Sequence, residues 1–196
     1  MTKATSAPRS APAAGNAAAR NAPLLLPASR RSPLPLALSV AAALSLAGGA
    51  WLITHPSQPE LGQSFANQGQ QHITLGTAHE PYDSFPATSG PHTAYTAPWG
   101  VSSVPIAQEV LVHSLEHGGI VISYQPKLID AAGLQALGSV AARFPNKVVV
   151  APNAQLTQAV ALAAWTRLYK LDKVDLSLVT EFIGRYKDHA PEFFPD

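Results

Sequence analysis

The sequence predicts an α+β fold: a small mixed β-sheet with two or three packed helices, preceded by one transmembrane helix and a disordered N-terminal tail. Three observations support this. Strand and helix patterns alternate from residue 110 onward, a charge-free apolar run covers residues 34–53, and the segment before that run has no apolar periodicity. The 196 residues suffice for one folded domain with an appendage.

Residues 1–33 are predicted to be a disordered cytoplasmic tail, because they are rich in Ala and Pro and carry only isolated basic side chains. Residues 34–53 have the length of a membrane-crossing helix, about 20 residues. All five basic residues of the first 59 precede this run, so the positive-inside rule places residues 54–196 outside the cytoplasm. The expected location is therefore the cell envelope, with a periplasmic domain on a single-pass anchor. A cleaved signal peptide and a buried core helix remain alternatives for the apolar run.

The downstream elements follow in order. Residues 54–71 are polar and rich in Pro, Gly and Gln, which indicates a spacer before a His-rich domain over residues 72–196. Residues 72–105 carry turn signals throughout and are expected to be mostly loop with short strands. We then predict an apolar run, a strand, a helix, a buried strand, a mixed segment and a second helix, at 110–115, 120–124, 128–143, 147–151, 160–171 and 176–187. Asp130 lies in the first turn of the earlier helix, and Asp175 is the expected N-cap of the later one.

The composition excludes several kinds of site. The chain has no Cys, and its one Met is the initiator, so disulfides, thiolate metal sites and thioether ligation within the domain are ruled out. A transition-metal site would therefore consist of histidine nitrogens and carboxylates. Residues 60–196 carry eight basic and twelve acidic groups, and this acidic balance gives no basic patch for a phosphate backbone. Nucleic acid is therefore not expected as a partner.

Histidines are the most informative residues. Five of the seven lie between residues 72 and 117, in and just after the turn-rich segment. On a helix, His113 and His117 would be one turn apart, so both rings could meet one ion. Gly118 could then end that turn in a left-handed conformation. A rigid Gly-Pro pair precedes His92 and would hold a loop ligand in place. On spacing alone, packed or solvated histidines and a plain surface turn remain open.

Two signatures resemble those of a bacterial family of uncharacterised domains that typically follow a single N-terminal transmembrane helix. They are TSGPH at residues 88–92 and VHSLEHGG at residues 112–119. The resemblance extends to Ala163-Ala164-Trp165 and to the terminal helix, and covers roughly residues 65–193. The sequence departs from the family pattern at Pro86-Ala87 and around Trp99-Gly100. The family is a domain of unknown function, so the resemblance implies a topology and a set of matching positions: His72, His92, His113, Glu116 and His117.

The main functional hypothesis is a mononuclear copper site with four histidine ligands. Neutral imidazoles without thiolate accommodate both oxidation states of copper, so the site could dismute superoxide to dioxygen and hydrogen peroxide. Glu116 is predicted as a catalytic residue that orients an imidazole and supplies protons. The site is similar in character to copper-only superoxide dismutases, although the predicted fold is not their β-barrel. The predicted metal ligands are His72, His92, His113 and His117.

Two alternatives stay open. Residues 113–117 match the H-x-x-E-H pattern of zinc peptidases, in which zinc would replace copper and the Glu would activate a bound water. Gly118-Gly119 would end the required helix at once, which counts against this reading. The other alternative is a non-enzymatic metal-binding or accessory subunit of an envelope complex. The expected partners are superoxide, the membrane through the N-terminal helix, and an envelope protein complex.

Overall fold

The computed structural model describes residues 60–192, which form an α+β domain with one six-stranded sheet and three helices. The strands are β1 (Gln63–Ser64), β2 (Gly100–Val101), β3 (Ile120–Tyr124), β4 (Val148–Pro152), β5 (Val160–Ala164) and β6 (Arg167–Leu171). The helices are α1 (Gln108–Glu116), α2 (Ala131–Ala141) and α3 (Leu176–Tyr186). The predicted combination of a small mixed sheet with packed helices is therefore found.

One part of the predicted fold is corrected, namely the transmembrane helix before the domain. The helices within residues 60–192 have nine or eleven residues. None of them is long and apolar enough to cross a bilayer, which takes about 20 apolar residues. The membrane helix predicted over residues 34–53 and the tail predicted over residues 1–33 lie outside the described residues. The fold class that the structure supports is an α+β domain, and the membrane helix is not retained in it.

The sheet has the strand order β1-β6-β5-β3-β4-β2 and is mixed. β3 pairs in parallel with β4 and antiparallel with β5. The three central strands, β3, β4 and β5, are buried along their whole length. Their runs of Val, Ile, Leu and Ala are typical of strands that are covered on both faces. β1 lies within the segment that the sequence assigned to a spacer, so residues 60–71 contribute to the domain.

The side chains of the central strands alternate between two hydrophobic cores on opposite faces of the sheet. On the first, which we call the α2–α3 face, Ile120 and Ile122 pack with residues of these two helices, such as Phe182. On the second, the α1 face, Val121 packs with residues of α1, such as Leu115, and with the loops around it. The sheet is therefore the middle layer of the domain.

Two aspartates begin helices by accepting backbone hydrogen bonds. Asp130 accepts from the N–H of Gly133 at 2.7 Å, and Asp175 accepts from the N–H groups of Ser177 and Leu178 at 3.0 and 3.1 Å. α3 therefore begins where the sequence predicted. α2 begins three residues later than predicted, because Asp130 is its N-cap rather than a residue of its first turn.

The remaining elements refine the sequence predictions. The mixed segment over residues 160–171 is a β-hairpin formed by β5 and β6, which turns at Thr166 with a φ of 59°.

α1 begins two residues before the predicted apolar run, and Gly118 follows the end of α1 with a φ of 77°. A Cβ atom at Gly118 would lie 2.8 Å from the Cα of Asp188, so this position requires glycine. The chain can thus turn from α1 into β3 within three residues.

Candidate metal centre

Two loop segments place His72 and His92 side by side. The backbone N–H of Ile73 donates to the carbonyl of His92 at 2.7 Å, and the N–H of His92 donates to the carbonyl of Gln71 at 2.9 Å. These bonds form an isolated parallel β-bridge between the two histidines. Because residues paired in this way project side chains to the same side, the two ring centroids lie 5.0 Å apart.

His92 is held by the turn that precedes it. Its Nδ1–H donates to the carbonyl of Gly90 at 2.7 Å, and its side chain is completely buried. Gly90 has a φ of 112°, and a Cβ atom there would lie 3.1 Å from the ring of Tyr82. The glycine is therefore needed for a backbone conformation that L side chains rarely adopt. The result is a fixed ring whose Nε2 lies 2.8 Å from Oε2 of Glu116.

The last turn of α1 contributes His113 and Glu116, which share one helix face at i and i+3. His113 Nδ1 lies 3.3 Å from Oε2 of Glu116, and His72 Nε2 lies 3.5 Å from the same oxygen. The ligand atoms of His72, His92, His113 and Glu116 all lie within 4.8 Å of one another. These four residues, which we call the His3Glu cluster, could hold a metal ion.

The protonation states of His113 and Glu116 suit ligation. Burial, together with the neighbouring histidines, lowers the pKa of His113 to about 4, so its ring is neutral at pH 7. Burial raises the pKa of Glu116, but the hydrogen bond from Gln70 and the charge and hydrogen bond of His92 outweigh it and lower the pKa below its usual value. Glu116 is thus a buried carboxylate, with Gln70 Nε2 donating to its Oε1 at 2.9 Å. Metal ions bind these same forms, neutral imidazole and ionised carboxylate.

Two contacts in the cluster fit a bound cation. Nδ1 of His92 donates to the Gly90 carbonyl, and its Nε2 lies 2.8 Å from the carboxylate oxygen, which is an acceptor; in the neutral ring this Nε2 is an acceptor too. Two acceptors at this distance require a proton or a cation between them. In addition, Nδ1 of His113 is buried and makes no hydrogen bond with any of the described residues. A buried polar atom in this state is expected to have an unseen partner, and a metal ion satisfies both contacts.

The fourth histidine predicted as a ligand, His117, lies outside this cluster. Its Nε2 is 2.9 Å from Nε2 of His113, so it contacts the ring nitrogen that does not face Glu116. Its Nδ1 is 3.6 Å from Oε2 of Glu192. The structure therefore brings His72, His92 and His113 together around Glu116, the residue that the sequence predicted as catalytic.

Gln70 and Glu192 are site residues that sequence reasoning missed. Gln70 lies in a polar, Gln-rich stretch that was assigned to a spacer, and its hydrogen bond to Glu116 spans 46 residues. Glu192 follows the last helix, and its contact with His117 depends on how the chain folds back over α1. Nothing in their local sequence distinguishes them from other solvated polar residues, so neither could have been found without the tertiary structure.

The chain is similar to a known protein family. The family described as "Protein of unknown function (DUF3105)" matches residues 72–194. No curated protein and no solved structure matches the chain. The matched range contains all four residues of the His3Glu cluster.

Proposed function

The chain belongs to the family of proteins of unknown function DUF3105, and we propose that its domain binds one transition-metal ion through the His3Glu cluster. The ion would be held by Nε2 of His72, Nε2 of His92, Nδ1 of His113 and Oε2 of Glu116. Gln70 and the turn at Gly90 support this set, because they orient Glu116 and His92 through hydrogen bonds.

The observation that carries the proposal is the contact between His92 and Glu116. Nε2 of His92 lies 2.8 Å from Oε2 of Glu116 inside the protein while Nδ1 of the same ring donates to the Gly90 carbonyl, so an ion at Nε2 would take the place of a proton shared with the carboxylate. Ligand atoms bound to one ion at about 2.0–2.1 Å are separated by about 2.9–3.4 Å for right-angled to tetrahedral arrangements. The contacts of 2.8, 3.3 and 3.5 Å around Glu116 are close to this range.

We propose copper as the ion and superoxide as the substrate. Imidazole and carboxylate ligands suit several divalent ions, and among them Cu²⁺ binds such sites most tightly. The side chain of His72 is 47% exposed, whereas those of His92 and His113 are 0% and 7% exposed, so the cluster is open to small solutes beside His72. Copper would supply one-electron chemistry there. In the overall reaction, two superoxide ions and two protons give one dioxygen and one hydrogen peroxide.

The peptidase alternative is less favoured by the geometry. In that reading Glu116 should stand beside the ion and activate a water molecule. Instead Oε1 of Glu116 accepts from Gln70 and Oε2 faces three histidine nitrogens, so both oxygens are engaged within the cluster. A non-enzymatic role in metal binding remains the second candidate, because the ligand set alone supports it. The cell-envelope location and an envelope partner remain predictions from the sequence.

The first experiment is to measure the metal content of the purified full-length protein by mass spectrometry, after growth with copper, zinc, iron and manganese. We expect about one copper per chain. Glu116→Gln and His92→Ala should lower the metal content severalfold, whereas His189→Ala, which changes an exposed histidine after α3, should leave it unchanged. Circular dichroism of each variant separates loss of metal from loss of fold. A folded wild-type protein that binds neither Cu²⁺ nor Zn²⁺ in titration would contradict the proposal.

The second experiment measures superoxide dismutation by the copper-loaded protein. Activity should disappear when copper is removed by a chelator and return when copper is added back. Zinc-loaded protein is the matched control, because zinc fills the site without redox chemistry. Stoichiometric copper without dismutation would favour the non-enzymatic candidate.

A further inference from the structure

His113 has a second contact that the His3Glu cluster does not use. Its Nε2 lies 2.9 Å from Nε2 of His117, and the two ring centroids are 4.5 Å apart. Two nitrogens at this distance form a hydrogen bond only if one of them carries the proton and the other presents a lone pair. The contact therefore couples the tautomer of His113 to that of His117.

The direction of this hydrogen bond follows from what the other ring nitrogen of each histidine, Nδ1, faces. Nδ1 of His113 faces the cluster, is buried and makes no hydrogen bond among the described residues, so its lone pair is the group available to an ion. The proton of the neutral ring is then on Nε2, which donates to Nε2 of His117. With a single proton, His117 would carry it on Nδ1, which lies 3.6 Å from Oε2 of Glu192.

We infer that His117 and Glu192 are positioning residues of the metal centre, which hold His113 in the tautomer that presents Nδ1 to the ion. The inference rests on the proposed function, since it assigns an outer partner to one of the proposed ligands. A ligand histidine whose other nitrogen donates to a hydrogen-bond partner is fixed in orientation and is more basic. In this site the partner is a second histidine, whose Nδ1 lies within ion-pair distance of the Glu192 carboxylate.

The structure fixes Glu192 in place although its side chain is 45% exposed. The backbone N–H of Glu192 donates to the carbonyl of Glu116 at 3.1 Å, and the N–H of Asp188 donates to the carbonyl of Gly118 at 2.9 Å. Lys147 Nζ adds a hydrogen bond of 3.0 Å to the carbonyl of His117 and an ion pair of 2.9 Å with Asp188. Residues 188–192 are therefore fastened to the end of α1, which carries His113 and His117.

A second ion held by Glu116, His117 and Glu192 would be a different explanation of the same residues, because their ligand atoms also lie within 4.8 Å of one another. We do not favour it, since both oxygens of Glu116 are already engaged by Gln70 and by the cluster histidines. The two explanations differ in stoichiometry. Two ions per chain in a Cu²⁺ titration would overturn the positioning role of His117.

The first test measures tautomers in the metal-free, full-length protein by long-range proton–nitrogen NMR at pH 7. We expect the proton of His113 on Nε2 and the proton of His117 on Nδ1. In His117→Leu the tautomer of His113 should become mixed, whereas His117→Gln, which keeps an acceptor oxygen, should preserve it. A proton on Nδ1 of His113 in the wild-type protein would overturn the inference. Because no metal is present, this result does not depend on the proposed function.

The second test measures affinity for Cu²⁺ by competition with a chelator. Loss of an outer hydrogen-bond partner typically weakens metal binding by about 10- to 100-fold, so His117→Leu should fall in this range and Glu192→Gln near its lower end. His117→Gln should recover most of the lost affinity. Glu181→Gln removes an exposed carboxylate of α3 and is the matched control, which should leave the affinity unchanged. Equal affinities for wild type, His117→Leu and Glu192→Gln would overturn the inference, whereas wild-type protein that binds no metal would instead overturn the proposed function.

Discussion

The two faces of the sheet are built on the same three central strands but differ in what covers them. The α2–α3 face is covered by two helices that are packed through apolar side chains such as Leu137, Val179 and Phe182. The α1 face is covered by one helix and by the loops of residues 65–105, and it includes the buried polar side chains of His92 and Glu116. Stability and chemistry are therefore largely separated, one on each side of the sheet.

This separation has a physical reason. Apolar packing on the α2–α3 face needs no specific partner for each atom, whereas a buried carboxylate and buried imidazoles need hydrogen bonds or an ion. Loops can provide backbone carbonyls such as that of Gly90 and turns that aim a side chain inward, which regular helices cannot. The polar cluster thus lies where irregular backbone meets the end of α1.

The largest expected effect comes from creating a cavity in the hydrophobic core on the α2–α3 face. Leu137→Ala removes a fully buried side chain from α2 and should lower the free energy of unfolding by about 3 to 5 kcal/mol, as measured by urea denaturation. The copper affinity of folded Leu137→Ala should be unchanged, because Leu137 belongs to the core on the α2–α3 face and the His3Glu cluster lies on the α1 face.

Leu128→Ala is the matched control for that change. Leu128 is 56% exposed, so its removal should change the unfolding free energy by no more than about 0.5 kcal/mol. A fall in metal affinity for Leu137→Ala, at a denaturant concentration where it is folded, would show that the two faces are coupled.

A smaller effect is expected from filling the His3Glu cluster on the α1 face. An ion that binds only the folded protein stabilises it by about 2.7 kcal/mol when present at 100 times its dissociation constant. The melting temperature should therefore rise on addition of Cu²⁺, as followed by differential scanning calorimetry. The metal-induced rise should be absent in Glu116→Gln, and a rise of equal size in that variant would mean that the ion binds elsewhere.

The smallest effect concerns the ion pairs of Asp188 with Lys147 and Lys187, which help to hold residues 188–192 near the end of α1. Burial raises the pKa of Asp188, but hydrogen bonds from Lys187 and Lys147 outweigh it and lower the pKa. A carboxyl group whose pKa is lowered by folding stabilises the protein above its unfolded value, about 3.9, and this contribution is lost as the pH falls through the folded value. Asp188→Asn should therefore lower the unfolding free energy by about 1 kcal/mol at pH 7, a modest amount because Asp188 is partly exposed.

The difference between Asp188→Asn and wild type should begin to shrink as the pH falls below the unfolded pKa, about 3.9, and should shrink further until the pH is below the lowered pKa of the folded carboxyl. Urea unfolding at pH 7 and at pH 3 measures it. Asp172→Asn, which changes an exposed aspartate after β6, should show little difference from wild type at either pH. A gap for Asp188→Asn that is equally large at pH 7 and at pH 3 would show that its cause is packing and not charge.

Much of the fold could be predicted because its signals are local. The strand over residues 120–124 has the predicted bounds, and Asp175 is the predicted N-cap. The turn at Thr166 was missed because neither it nor its neighbours carry a Gly or Pro signal. The transmembrane helix was a prediction from residues 34–53, and the described helices gave it no support.

The candidate site could be predicted only in part. His72, His92 and His113 were predicted as ligands together with His117, because imidazole is the only borderline-soft ligand in a chain without Cys or internal Met and because these positions match the family pattern. It could not be foreseen that Glu116, and not His117, lies with the loop histidines, because both are within about one turn of His113 at the end of α1. Which of them meets the loop histidines depends on the position of the loops over the helix, and this is set by hydrogen bonds between residues more than 20 positions apart.

The backbone hydrogen bond between Glu192 and Glu116 has a consequence for biosynthesis. A ribosome has made all four residues of the His3Glu cluster when it reaches residue 116, but Glu192, which lies next to His117, is made 76 residues later. A nascent chain that bound an ion before residue 192 was made would hold the ion without the contact between Glu192 and His117. Synthesis of residues 188–192 is thus expected to precede stable metal binding, and a chain truncated before residue 188 would lose metal faster than one that contains these residues.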